Sequence, residues 1–343
     1  MNEPYSAIIP TEPAPMPYKD RAGGLVAFGV MTLLLGGLAA LFVPLMFLGQ
    51  AMAAKANQTP LDFSLILPAI SIYGIMAVAL VWLGIGSIKA RRWARALMVI
   101  FSWSWLVMGV IAVTVMAFVM PKMLASMPAN AAPGQPAMPP EAMAAVLVGT
   151  FVIYGVLFVV MPAIWTVFYQ SRNVKITCER RDPIPRWTDA CPLPVLGLCL
   201  WLWVSVPMLL IMPISGHAVM PFFGGFLTGL PGTVFCLVMA ALWTYAGWLL
   251  YRLDSRGWWL IFIAMCVFVV SGVLTFARHD MLEMYQLMNY PKAQLDQIQQ
   301  SGLLVGNRMT WLMSLSVLPF LSYLTFIKKF LRSSSSPRPG QNT

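Results

Sequence analysis

Gln170–Pro194, QSRNVKITCERRDPIPRWTDACPLP, is the most charged segment of an otherwise apolar chain and lies near its midpoint. Four long apolar runs precede it, at about 23–50, 63–88, 96–120 and 143–169. Four more follow, at about 193–215, 221–250, 258–277 and 309–327. Each approaches or exceeds the roughly 20 residues that carry a helix across the hydrocarbon core. The runs are continuous, whereas barrel strands would alternate apolar and polar positions. The expected fold is therefore all-α: a polytopic transmembrane helical bundle of about eight spans.

Composition agrees with this. Of 343 residues, 59% are apolar and 10% charged, with a mean hydropathy of +0.76. A soluble domain carries about 25% charged residues. The net charge of +10 follows from topology. With the N-terminus inside, 17 of the 22 Lys and Arg fall on the cytoplasmic side, and the outer face is neutral. That satisfies the positive-inside rule and gives an inner face attracted to anionic lipid. The basic pI is thus no sign of nucleic-acid binding.

The two halves share landmarks. Pro44 and Pro207, and Pro68 and Pro231, are each 163 positions apart. Arg91–Trp93 matches Arg256–Trp258, and Pro162 matches Pro319. Four spans per half would give both halves one orientation, a parallel repeat. The expected organisation is a cytoplasmic disordered tail at 1–22, a four-span repeat at 23–169 and a linker at 170–192. A second repeat follows at 193–331, then a cytoplasmic tail at 332–343. The first apolar run is too long for the h-region of a signal peptide.

All 12 acidic residues and all Lys and Arg lie outside the apolar runs. Ionisable groups inside a membrane mark proton relays, ion sites and catalytic groups. Their placement here argues against proton-coupled transport and intramembrane hydrolysis. No Walker A loop, dinucleotide fingerprint, HExxH, GxSxG or CxxC motif occurs. No enzyme activity and no cofactor are expected. The five cysteines are expected to be reduced thiols, three of them inside apolar runs.

Three weaker signals name candidate residues. Span six carries Gly224, Gly225, Gly229, Pro231 and Gly232, which reads as a broken helix, with Pro68 at the matching place in span two. Interrupted spans in two repeats point to a ligand site, here Pro68, Thr228, Gly229, Pro231, Gly232 and Thr233. Second, Met120, Met123 and Met127, and Met281, Met284 and Met288, are spaced i, i+3, i+7, a stripe of soft ligands suited to copper or silver. Met also simply fills apolar gaps. Third, Arg91, Arg92, Trp93, Arg180, Arg181, Arg186 and Trp187 suit contact with lipid head groups or an acidic partner. The plainer reading of these seven is a solvated, positively charged loop with interfacial tryptophans. In span one, Gly36-x-x-x-Ala40 is a small-xxx-small step that predicts an inner, tightly packed helix.

The segment Phe168–Leu196 and the hairpin Lys89–Arg95, KARRWAR, resemble predicted bacterial multi-pass membrane proteins of unknown function. The resemblance implies a bacterial inner-membrane location and no particular chemistry. The expected role is a non-catalytic scaffold, sensor or assembly component, with the anionic cytoplasmic leaflet and a membrane protein as its partners. The alternatives are a permease or lipid-interacting protein for an uncharged or lipophilic solute, and copper or silver binding on the outer face.

Overall fold

The computed structural model describes residues 18–57, 63–126, 139–214, 218–288 and 308–331, with isolated positions between 290 and 299. The first half comprises α1 (Ala22–Asn57), α2 (Phe63–Ile88) and α3 (Arg92–Ser126). Next come α4 (Pro140–Gly155), a π-helical turn (Val156–Val160) and α5 (Met161–Gln170), which continue one another. The linker contains α6 (Arg172–Arg181) and a 3-10 turn (Trp187–Asp189). The second half comprises α7 (Leu193–Ile214), strands β1 (Met220–Phe222) and β2 (Gly225–Leu227), and α8 (Gly229–Tyr251). It closes with α9 (Ser255–Phe276), α10 (Met281–Leu287) and α11 (Arg308–Lys328).

Seven of the described helical segments are long and apolar enough to cross a membrane. The multi-pass helical membrane class follows directly. In α11, the apolar stretch Val317–Lys328 is shorter.

Each half packs in chain order. In the first, α1 lies against α2, α2 against α3, and α3 against α5; in the second, α7 lies against α8, α8 against α9, and α9 against α11. Two cores result. One gathers Leu25, Leu83, Met98, Trp165, Tyr169, Val174 and Cys178; the other gathers Val195, Cys199, Leu250, Trp258, Ile261 and Leu324. Both sit at the end of the bundle where the linker lies. Toward the other end large apolar side chains point outward, such as Leu41 at 55% and Phe118 at 68% exposure, as a lipid-facing surface requires.

The α1–α2 contact is built from glycines. A side chain at Gly29 would run into Ile88, one at Gly36 into Val81, and one at Gly84 into Leu33. The small face of α1 is thus Gly29, Thr32, Gly36 and Ala39. Ala40 faces outward, so the Gly36–Ala40 step is not the contact. Nor is α1 an inner helix: outside its α2 face it exposes Leu34, Leu38 and Leu41.

The α2–α3 and α8–α9 connections are alike. Ala90 and Leu253 both take a left-handed conformation, φ 48° and 60°. At the first, Arg91 N–H donates to Gly86 O, and at the second Asp254 N–H donates to Leu249 O. Each closes its helix by the six-to-one bond that satisfies terminal carbonyls.

Gly224–Gly232 does not form a broken helix. Met220–Leu227 is an antiparallel hairpin in which Met220 pairs with Leu227. Phe223 and Gly224, both at positive φ, make its turn. Phe223 N–H donates to Ser271 Oγ and Gly224 N–H to Thr275 Oγ1, fastening the hairpin to α9. Helix α8 starts only at Gly229. Pro231 therefore sits in its first turn, where a missing N–H removes no internal hydrogen bond.

The actual irregularity is in the fourth span. Pro162 has no N–H to give to Phe158 O, four residues back, and the chain accommodates it with the π-helical turn. The Phe158 carbonyl faces Gly109 of α3, where any Cβ would collide with it. Gly109→Val should therefore cost about 1–3 kcal/mol. The thermal midpoint of the detergent-purified protein should fall by several degrees, and an unchanged midpoint would contradict this packing.

Candidate functional site

The densest polar construction among the described residues is the linker and the α2–α3 turn beneath it. Helix α6 starts at Ser171, whose extended backbone breaks from α5 and whose Oγ accepts from Val174 N–H. It ends before Pro183 and Pro185, which cannot continue a helix. Val174, Thr177 and Cys178, one helical face, are buried against the first half.

Asp182 follows, with its side chain only 2% exposed. Arg186 grips it by two bonds, Nη2 to Oδ1 at 2.9 Å and Nε to Oδ2 at 3.4 Å. Arg91 Nη1 lies 3.5 Å from Oδ1, and the Arg92 backbone N–H donates to Oδ2 at 3.4 Å. Charge-assisted hydrogen bonds stabilise the ionised carboxyl, so Asp182 is held below the usual carboxylate range, chiefly by Arg186. Asp189 Oδ2 accepts from Arg186 N–H at 2.8 Å and lies 3.3 Å from Arg92 Nε. Glu179 lies 3.9 Å from both Arg92 Nη2 and Lys175 Nζ.

Other parts of the chain converge on this region. Arg21 N–H donates to Thr177 Oγ1, Asp20 pairs with Arg181 at 3.4 Å, and Arg180 lies over the Tyr18 ring. From the second half, Tyr251 Oη donates to Trp187 O at 2.8 Å and Tyr323 Oη to Pro194 O at 2.7 Å. Trp201 Nε1 donates to Ser104 Oγ, a direct bond between α7 and α3. The solvated-loop reading of the linker is therefore corrected: it is a folded joint between the halves. Burial pushes the Cys178 thiol up to about 11, which makes it a poor nucleophile.

The candidate residues fall in separate places. Arg91, Arg92 and Arg186 belong to the Asp182 cluster, whereas Arg180 and Arg181 lie on the exposed side of α6. Trp93 stacks on Trp82 with ring centres 4.2 Å apart, and Trp187 is 41% exposed. Pro68 is in the second turn of α2. Thr228 precedes α8; Gly229, Pro231, Gly232 and Thr233 form its first turn, and Thr233 Oγ1 donates to Gly229 O. A side chain at Gly232 would collide with Ala218 O. Because α2 packs on α1 and α8 on α7, Pro68 and Pro231 lie on separate helix pairs.

Met120 and Met123 are in the last turns of α3, and Met127 lies outside the described residues. Met281, Met284 and Met288 are half-buried along and just after α10. His279 Nδ1 is 2.8 Å from Glu283 Oε2, and His217 lies outside the described residues. All five cysteines are free thiols, and among the described residues no group of three or more His, Cys, Asp or Glu is arranged to hold a metal.

Sequence reasoning missed Asp182, Arg95, Lys175 and Thr188. The one usable signal was the Val174, Thr177, Cys178 spacing, which marks a buried helix face. Comparison of the chain with family models, curated proteins and solved structures finds no match.

Asp182→Asn should destabilise the protein at neutral pH by about 1–3 kcal/mol, a buried-pair loss reduced because Arg91 and Arg186 are partly exposed. The folded-state pKa of Asp182 is lowered, so its contribution is present above the unfolded value of about 3.9 and disappears as pH falls through the folded value. The gap in thermal midpoint between wild type and Asp182→Asn should accordingly narrow from pH 6 toward pH 3. A constant gap would show that the carboxylate charge is not what the site uses.

Proposed function

We propose that this chain is a non-catalytic component of a bacterial inner membrane, a scaffold, sensor or assembly partner that spans the bilayer eight times with both termini cytoplasmic. The linker end is then its cytoplasmic, working face. Charge supports this orientation, because Lys and Arg concentrate at that end. The two halves are read as parallel repeats. Their support is the shared packing order and the matched left-handed residues Ala90 and Leu253, which are 163 positions apart like the matched prolines.

The observation that carries the functional reading is the presented loop Pro183–Trp187. Two prolines restrict its backbone, and the Asp182–Arg186 bonds close its base. Ile184 at its tip is 63% exposed, and Trp187, three residues on, is exposed too. Arg180 and Arg181 flank it. A rigid apolar tip with a basic surround is a pre-organised contact for a partner with an apolar pocket and acidic rim.

Native mass spectrometry of gently extracted protein should show a discrete second polypeptide beside the 37.9 kDa chain. Ile184→Asp should remove it while leaving the chain folded. A bare chain carrying only scattered lipid would overturn the assembly reading.

A further inference from the structure

A cavity of about 250 Å³ lies between the start of α3, α6 and the 3-10 turn of the linker. Its polar wall holds Arg92, Arg95, Lys175, Glu179, Thr188 and Asp189. The two carboxylates are already engaged. Glu179 sits between Arg92 and Lys175, and Asp189 between Arg92 and the Arg186 backbone. Arg95 is different. Among the described residues no carboxylate comes within ion-pairing distance of it, and its buried Nε, like that of the ion-paired Arg92, has no hydrogen-bond partner. Thr188 is 2% exposed, and its buried Oγ1 also has no partner.

Buried donors are seldom left unmatched, and a half-buried cation without a carboxylate partner attracts negative charge. We propose that this cavity binds a phosphate-bearing anion, held by Arg95, Lys175 and Thr188. The donor set selects that chemistry. Guanidinium offers a planar fork, ammonium a point charge and the hydroxyl one further bond. A phosphoryl group brings three terminal oxygens and close to two negative charges to two cations and a hydroxyl, whereas a carboxylate brings a single charge. The remaining wall includes Ala96, Pro192 and Leu193, an apolar side suited to the carbon part of an ester. Leu193 begins α7, so that side adjoins the edge of the hydrocarbon region. The same phosphoryl chemistry can therefore come from a glycerophospholipid head group or a soluble phosphate monoester.

The site deepens the reading of the linker end as the working face and rests on it, but not on any protein partner. The test uses full-length protein in neutral detergent. Thermal midpoints are measured with sn-glycerol 3-phosphate against sodium chloride of equal ionic strength, and native mass spectrometry follows retention of added phosphatidylglycerol. Wild type should be stabilised by glycerol phosphate, which assigns the soluble source, or should retain one phosphatidylglycerol, which assigns the lipid source. Arg95→Gln should weaken whichever is seen by about tenfold or more, as expected for loss of a charged hydrogen bond. Lys175→Gln alters an exposed side chain outside the cores and should weaken it in the same direction, so the test survives if Arg95→Gln does not fold. Wild type that takes neither probe, or binding unchanged in both variants, overturns the site. Phosphate binding by a chain without a partner would sink the assembly reading alone; a partner retained without phosphate binding would sink this site alone.

Discussion

Everything at the linker end depends on one carboxylate kept from water. Asp182 is nearly fully buried, and a buried charge is tolerated only when its lone pairs are met. Here Arg186 comes from the same linker, while Arg91 and the Arg92 backbone come from the turn between α2 and α3. The carboxylate therefore fixes the linker to the first half and shapes the Pro183–Trp187 loop at once. Tyr251 and Tyr323 then tie the second half to the same segment through backbone carbonyls.

This places order where the membrane does not supply it. Between helices in lipid there is little hydrophobic drive, so association relies on close packing and hydrogen bonds. The chain uses glycine contacts between α1 and α2 and a carbonyl-to-glycine contact between α3 and the fourth span. The buried side chains concentrate at the linker end, where both cores meet the joint. The mixed signs of the linker, which a topogenic role alone would not need, are explained by its ion pairs.

Much of the architecture was legible in the sequence because hydrocarbon thickness imposes run length. Spans one to five and seven fall close to their helices, since apolar length alone sets them. At the start of the sixth span the pattern is ambiguous, and the helix begins only at Gly229. Glycine and proline clusters read equally as a helix break or a hairpin turn followed by a helix start, and only the pairing of Met220 with Leu227 separates them. The joint was legible in composition but not in role. Asp182, Asp189 and Glu179 look like loop acids until Arg91 and Arg92, about 90 residues earlier, come beside them. Arg95 looked like one more inner-face cation because nothing local shows that its neighbours pair with one another and leave it facing a cavity.

The most direct test of the joint is thiol labelling of Cys178 in intact membranes, resolved by peptide mass. Cys178 lies on the buried face of α6, is 1% exposed, and has its thiol pushed up to about 11. The account predicts that a maleimide leaves Cys178 unmodified in wild type and modifies it readily in Asp182→Ala, because the linker then lifts from the α2–α3 turn. Rapid labelling of Cys178 in wild type, or equal protection in both proteins, would contradict a linker locked by Asp182.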